Sequence, residues 1–311
     1  MLDANNDMKN KPLILLIFFF IIFPINLVMV QTKGGSLTNE LISDIKKTVV
    51  FLGDFKEENE RKQTHFKATG FLVKIKNIFH LVTAKHVIME VKDNKFTGKL
   101  IDENMLAFFN MKDGSIGSRS ISSIKQQKNI SWIFHDTENV DIAIIPFPID
   151  PKAEDIKVIP DGLFLDTKRL FELYDIFFLS FQPGIKSENR VTPIIRGGAI
   201  SLINDDNTFY IDAFAFPGNS GSPVFLKPSP IRFDTGGITL GGDKLGGKFI
   251  GIIGEYITYR EVAISVQTGR PRVIFEENTG LSKVWSVSFI NEIINSDRFQ
   301  NQLERLLPKK Q

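Results

Sequence analysis

From residue 46 onward the chain is built of short apolar runs, many alternating with polar positions at a period of two and separated by polar turns. "KTVVFLGDF", "THFKATGFLVKI", "FHLVTAKHVIMEV" and "DIAIIPF" carry this texture in the first half. "LYDIFFLSF", "VTPIIRGGAISLI", "TFYIDAFAF", "GSPVFL", "KFIGIIGEYI" and "RPRVIFEE" repeat it in the second. Runs of this length, rich in β-branched and aromatic residues, predict strands. Residues 103–130 and 226–247, rich in Gly, Ser, Asp and Lys, read as long loops. Only "SVSFINEIINSDRFQNQLERLL" has helical spacing, with Phe289, Ile293 and Ile294 on one face. Many short strands closed by one helix predict an all-β protein of one or two barrels. Pro146, Pro148, Pro151 and Pro160 crowd the connection between the halves.

The first thirty residues break the pattern. Lys9 and Lys11 precede "LILLIFFFIIFPINLVMV", residues 13–30, which is apolar apart from Asn26 and interrupted by Pro24. A basic flank before an apolar core is the pattern of a secretory signal, and the run is nearly long enough to span a bilayer. Residues 1–30 are therefore expected to be a signal peptide or a retained signal-anchor, forming an apolar leader helix. In either case everything after residue 31 is exported, and any membrane association runs through residues 13–30.

Composition narrows the class. The 38 basic and 36 acidic residues nearly cancel, and no Lys/Arg stripe with interleaved aromatics appears, so a nucleic-acid partner is not expected. The chain has no cysteine, which excludes disulfides, thiolate metal sites and cysteine nucleophiles. Phenylalanine is abundant, at 28 residues against 4 tyrosines.

The most constrained stretch is "AFPGNSGSPVF", residues 215–225, where glycines and prolines surround Ser220. Serine chemistry needs a base to take the hydroxyl proton, an acid to orient that base, and N–H groups to receive the oxyanion. Of the four histidines, His65 and His80 lie within strands and His135 follows "SWIF", none in a distinctive setting. His86 stands at the end of the apolar strand "FHLVTAKHV", where a rigid scaffold presents a base. Asp136 beside His135 invites a metal reading that no second His/Asp cluster supports, so no metal is expected. Asp141 opens "DIAIIPF", where neighbouring aliphatics can desolvate a carboxylate that still accepts an imidazole N–H.

"LVTAKHV", "VDIAIIPF" and "DAFAFPGNSGSPVF" occur in the order His, Asp, Ser, and resemble the signature segments of trypsin-like, chymotrypsin-fold serine proteases. The likeness is closest to the protease domain of the bacterial Deg/HtrA branch and spans roughly residues 46–295. It implies two antiparallel six-stranded β-barrels with a C-terminal helix. The expected boundaries are a linker at 31–45, the first barrel at 46–150, the second at 151–298, and the helix end with a tail at 299–311. It further implies catalysis by His86, Asp141 and Ser220, with Gly218 and Ser220 N–H groups forming the oxyanion hole. No cofactor is implied, and the substrates are polypeptides. The 16 residues after residue 295 are too few for the PDZ domain that the branch commonly appends.

Departures from the pattern shape the rest. Asn219 stands where trypsin has an acidic residue that pairs with a newly cut N-terminus, implying that no such activation is needed. Phe214, at the expected floor of the specificity pocket, predicts a shallow or apolar pocket, although plain barrel-core packing accounts for it as well. Phe216, which replaces the usual asparagine, is likewise expected to contact substrate, and Ser222 replaces a glycine. "GLSKVWSV", residues 280–287, resembles the strand that pairs with substrate, which would place Ser282, Lys283 and Val284 at the substrate. The segment from 255 to 280 is longer than expected and either covers the cleft or decorates the barrel.

Two motif matches are set aside. "GDKLGGKF" lacks the Ser or Thr that a phosphate-binding loop needs for Mg²⁺, and "GNSGS" is not a G-x-S-x-G elbow. The alternatives to a serine endopeptidase are a protease-fold module that holds peptides without cutting them, and an esterase on the same fold.

Overall fold

The computed structural model describes residues 34–58, 61–182, 190–229, 231–234, 237–240 and 245–307. The expected leader at 1–30 lies outside them. Among the described residues no helix is long and apolar enough to cross a membrane. Helix α1 (Gly34–Lys46) occupies most of the stretch expected to be a linker, and residues 40–311 form one compact unit.

In the first half, β1 (Val49–Glu58), β2 (Arg61–Ile75) and β3 (Ile78–Thr83) form an antiparallel meander. Lys76 and Asn77, both at positive φ, turn β2 into β3. Two central residues at positive φ are the geometry whose twist matches that of the flanking strands. After β3 come α2 (Lys85–Ile88), the ribbon of β4 (Met89–Lys92) and β5 (Lys95–Leu100), then β6 (Leu106–Asn110), β7 (Ile116–Ser120) and α3 (Ile121–Lys128). The region read as a loop at 103–130 is thus largely ordered into two strands and a helix. β8 (Ile133–Phe134), β9 (Ala143–Pro146) and β10 (Ile159–Pro160) complete the half. The strands join as β7-β6-β1-β2-β3-β9-β8, with β10 parallel to β2, in an eight-stranded sheet. Its end strands β7 and β8 are not paired with one another, so the closed first barrel is not what the pairing gives. β10 also carries this half beyond the expected boundary at 150.

The second half does close. β11 (Asp175–Ser180), β12 (Ile194–Ile203), β13 (Thr208–Asp212), β14 (Pro223–Leu226), β17 (Phe249–Ile264) and β18 (Pro271–Ser286) form a six-stranded barrel in the order β11-β12-β13-β18-β17-β14. Between β14 and β17, the small hairpin of β15 (Ile231–Asp234) and β16 (Gly237–Leu240) lies within the expected loop. Helices α4 (Val287–Asn295) and α5 (Asp297–Leu306) follow, in place of one continuous helix. Ser296 divides them, its hydroxyl accepting the Phe299 N–H as the cap of α5.

Many of the described phenylalanines go into packing. One apolar cluster fills the sheet and one the barrel, while a third contains Phe71, Leu179, Phe225, Phe249, Phe289 and Phe299 and joins both halves to α4 and α5. Residues that share a dense cluster cannot shift separately without opening voids, so the halves hold a fixed relation.

His80 in β3 is buried in this shared cluster, stacked on Phe299 with ring centroids 5.0 Å apart. Burial, against a hydrogen bond to the Ile78 carbonyl, pushes its pKa from 6.5 down to about 4. The folded state therefore holds the neutral ring while the unfolded chain takes up a proton first. Stability should fall as pH drops from about 6.5 towards 4, by about 3 kcal/mol in full. Urea unfolding at neutral and acid pH checks this. In His80→Phe that part of the acid loss should vanish.

Candidate active site

The three segments carrying His86, Asp141 and Ser220 come from different elements. His86 sits in α2, the single turn that follows β3. Its Nδ1 lies 2.7 Å from Asp141 Oδ2, and its backbone N–H donates to Asp141 Oδ1 at 2.8 Å. One carboxylate therefore holds both the ring and the main chain of the histidine, which fixes the ring's rotation as well as its distance. Asp141 immediately precedes Ile142 and β9, whose side chains are fully buried. Its own side chain is 12% exposed and that of His86 35%. The carboxylate is shielded while one edge of the imidazole stays open.

Neighbouring Lys85 fastens the acid's loop. Its buried ammonium donates to the Glu138 carbonyl at 2.8 Å and lies 4.0 Å from the centroid of the Phe96 ring. Burial lowers its pKa, opposed by the charges of Glu138 and Asp141. Burial likewise disfavours the His86 imidazolium. The charge of Asp141, its hydrogen bond and the charge of Glu255 together outweigh that, so His86 titrates above the ordinary imidazole value.

Glu255, in β17, is a residue that sequence reasoning missed. It is exposed, and it follows Ile253 and Gly254 in the part of β17 that flanks the serine loop. There Gly221 N–H donates to the Ile253 carbonyl and Ile253 N–H to the Ser222 carbonyl, each at 2.9 Å. Removing this second negative charge should lower the His86 pKa. With Glu255→Gln, the acid limb of a pH–rate profile should move to lower pH, and an unmoved limb would remove Glu255 from the site.

Thr69 in β2, also missed, ties the serine loop to the first half. Its hydroxyl donates to the Gly218 carbonyl at 2.7 Å, and its N–H donates to the Ser220 carbonyl at 3.1 Å. Its own carbonyl accepts the Thr83 hydroxyl at 2.8 Å, three residues before His86. Gly221 has φ +83, and a Cβ there would collide with the Thr69 carbonyl and lie 3.1 Å from the Ala84 nitrogen. Only glycine lets the serine loop approach the strand leading to the histidine this closely.

The loop is held from within as well. Asn219 is fully buried, its Oδ1 accepting the Phe216 N–H at 2.9 Å and its Nδ2 donating to the Phe181 carbonyl at 2.8 Å. A neutral amide satisfied at both ends needs no counter-ion. Gly218 takes φ +96. Among the described residues, the N–H groups of Gly218 and Ser220 donate to no acceptor, and the Ser220 hydroxyl makes no hydrogen bond.

The structure sorts the expected substrate-contacting residues. Phe214 is not core. It is half exposed, stacked 6.3 Å from Phe216, and its ring lies over Gly280, which has φ +84. Arg196 donates to the Phe214 carbonyl and to Gln182, and its guanidinium lies over the Phe216 ring. Ser282 and Val284 are fully buried in the barrel, Ser282 donating to the Ala213 carbonyl. Lys283 lies over Trp285 on the partly exposed side of β18, and its charge acts on Asp206. The element beside the serine loop is β17. β18 meets the approach to that loop, where Asn278 Nδ2 donates to the Ala215 carbonyl at 2.7 Å and Ala213 N–H donates to the Gly280 carbonyl at 2.9 Å.

His135 is occupied elsewhere. It accepts the Thr137 N–H on Nδ1 and contacts Glu292 through Nε2 at 2.7 Å, pinning α4 to the first half. Among the described residues no group of three or more His, Asp or Glu converges as a metal ion would require.

No family model matches this sequence, and no curated protein matches it. Solved structures do. A thermostable serine protease, AL20, from an extremophilic microorganism matches at 11% identity over 81% of this chain and 97% of its own, with a TM-score of 0.45. The serine endoprotease from Yersinia pestis matches at 14% identity over 85% of this chain, with a TM-score of 0.44. This chain spans 66% of that protein's length.

Proposed function

We propose that this chain is an exported serine endopeptidase in which Ser220 attacks a peptide carbonyl. His86 takes the hydroxyl proton on Nε2 and returns it to the leaving amine, while Asp141 keeps the other ring proton on Nδ1. The free N–H groups of Gly218 and Ser220 receive the oxyanion. The observation that carries the reading is the double grip of Asp141 on His86, through ring and main chain at once. A carboxylate so placed sets the imidazole tautomer, and this is the part of the machinery hardest to obtain by ordinary packing. The stacked Phe214 and Phe216 rings suit an apolar substrate side chain.

One observation favours a second reading, a protease fold that holds peptides without cutting them. The Ser220 hydroxyl is not hydrogen-bonded to His86 among the described residues. A fluorophosphonate separates the two, because only a serine activated by its base and served by an oxyanion hole is phosphonylated. Labelling at Ser220 is expected. Peptide binding with an unlabelled serine would establish the second reading instead.

A further inference from the structure

Beyond Gly254, β17 and β18 leave the barrel as a two-stranded ribbon. From Tyr259 to Glu277 almost every residue is exposed. The eight residues from Tyr259 to the tip at Val266 give it a reach of roughly 25 Å. A tight turn closes it, with Ser265 N–H donating to the Arg270 carbonyl and Gly269 in the left-handed region at φ +65. Isolated two-stranded ribbons are marginal in water, and this one is also strongly apolar.

The apolar side chains occupy both faces. Val262 pairs across the ribbon with Ile274, and Ala263 with Val273 on the opposite face, where Glu261 also pairs with Phe275. Val262, Ile264, Val273, Ile274 and Phe275 are all at least 45% exposed, and Val266 is completely so. Charge is graded along the same axis. Residues 262–275 contain Arg270 and Arg272 and no acidic residue, whereas Glu255, Glu261, Glu276 and Glu277 lie towards the barrel. Among the described residues neither Arg270 nor Arg272 has an ion-pair partner, while Arg260 at the base pairs with Glu276 at 2.9 Å.

We propose that the distal ribbon inserts into the interface of an anionic lipid bilayer. A protein partner laid on one face would leave the other apolar face in water. Immersion covers both. Two such tips meeting face to face would bring four arginines together without a carboxylate between them. Against anionic lipid the same arginines are attracted, and the glutamates at the base limit the depth. The ribbon's unpaired strand edges confine it to the headgroup region, where water can still satisfy them. This function does not depend on hydrolysis at Ser220.

The chain has no cysteine, so Val266→Cys gives the full-length protein a single site for an environment-sensitive NBD label. Lys152→Cys, on an exposed turn, supplies a comparison that reports binding driven by other segments. On vesicles of mixed phosphatidylcholine and phosphatidylglycerol the label at 266 should brighten and shift to the blue. The label at 152 should not, and vesicles of phosphatidylcholine alone should leave both unchanged. Reversing charge with R270E/R272E should weaken the response at 266 by on the order of tenfold or more. A label at 266 that stays water-like on the mixed vesicles overturns the proposal, as does an equal response at 152 or on neutral vesicles. A shift that grows with protein concentration and needs no lipid overturns it in favour of a second copy of the chain.

Discussion

Ser220→Ala is expected to lower peptide turnover by on the order of 10⁴–10⁶ while leaving the fold in place. The two halves of this expectation have separate origins. Turnover collapses because the methyl group cannot attack a carbonyl, so no acyl-enzyme forms and the base has no proton to move. What remains is whatever the oxyanion donors and substrate positioning give unaided. The fold persists because the loop is held by groups other than the hydroxyl. The Ser220 carbonyl accepts from Thr69, Gly221 N–H donates to Ile253, and Asn219 is satisfied at both ends. Deleting a hydroxyl without a described hydrogen bond should change stability by no more than about 0.5 kcal/mol. Peptide turnover and urea unfolding of one preparation check both halves. Undiminished cleavage by the variant would remove Ser220 from the mechanism.

Asp141→Asn should cost about 10⁴ in kcat, through the tautomer rather than the fold. The asparagine oxygen can still accept the His86 N–H, as Oδ1 does now at 2.8 Å. Its NH₂ would then face Nδ1, where Oδ2 now sits at 2.7 Å. That forces Nδ1 to accept, moves the ring proton to Nε2, and leaves nothing there to take a proton from Ser220. A pH profile distinguishes this from loose packing. His86 must be neutral to act as base, and its pKa lies above the ordinary value, with the charge of Asp141 the leading cause that raises it. Activity should therefore fall on acidification at a pH above the usual imidazole midpoint in the wild type, and at a lower pH in the variant. A variant with full activity, or an unchanged acid limb, would show that Asp141 does not govern the ring.

Much of this was readable in advance because the informative features are local. A strand run, a histidine at its end, an aspartate opening the next apolar run and a glycine-flanked serine are patterns of a few residues. The Deg/HtrA likeness set them in an order that implied a shared site. The contacts that hold the site together are not local. Thr69 reaches the serine loop across 149 residues of sequence, and nothing in "ATGFLV" marks its hydroxyl out from any other strand threonine. Glu255 follows a glycine in an apolar run, and only the pairing of β14 with β17 brings its charge to act on His86.

The sequence by itself determined the strand-rich character, the turns and the three segments of the candidate site, because backbone preferences and apolar periodicity act over a few residues at a time. Only the tertiary structure decided that one half closes into a barrel and the other remains an eight-stranded sheet, since closure depends on register between distant strands. It also decided that Ser282 and Val284 point inward. Alternation says that neighbouring residues face opposite ways, but only the closed barrel says which way is in. The long ribbon of β17 and β18 was likewise a tertiary outcome. Residues 259–277 have ordinary strand composition, and what sets them apart is that almost every one of them is exposed.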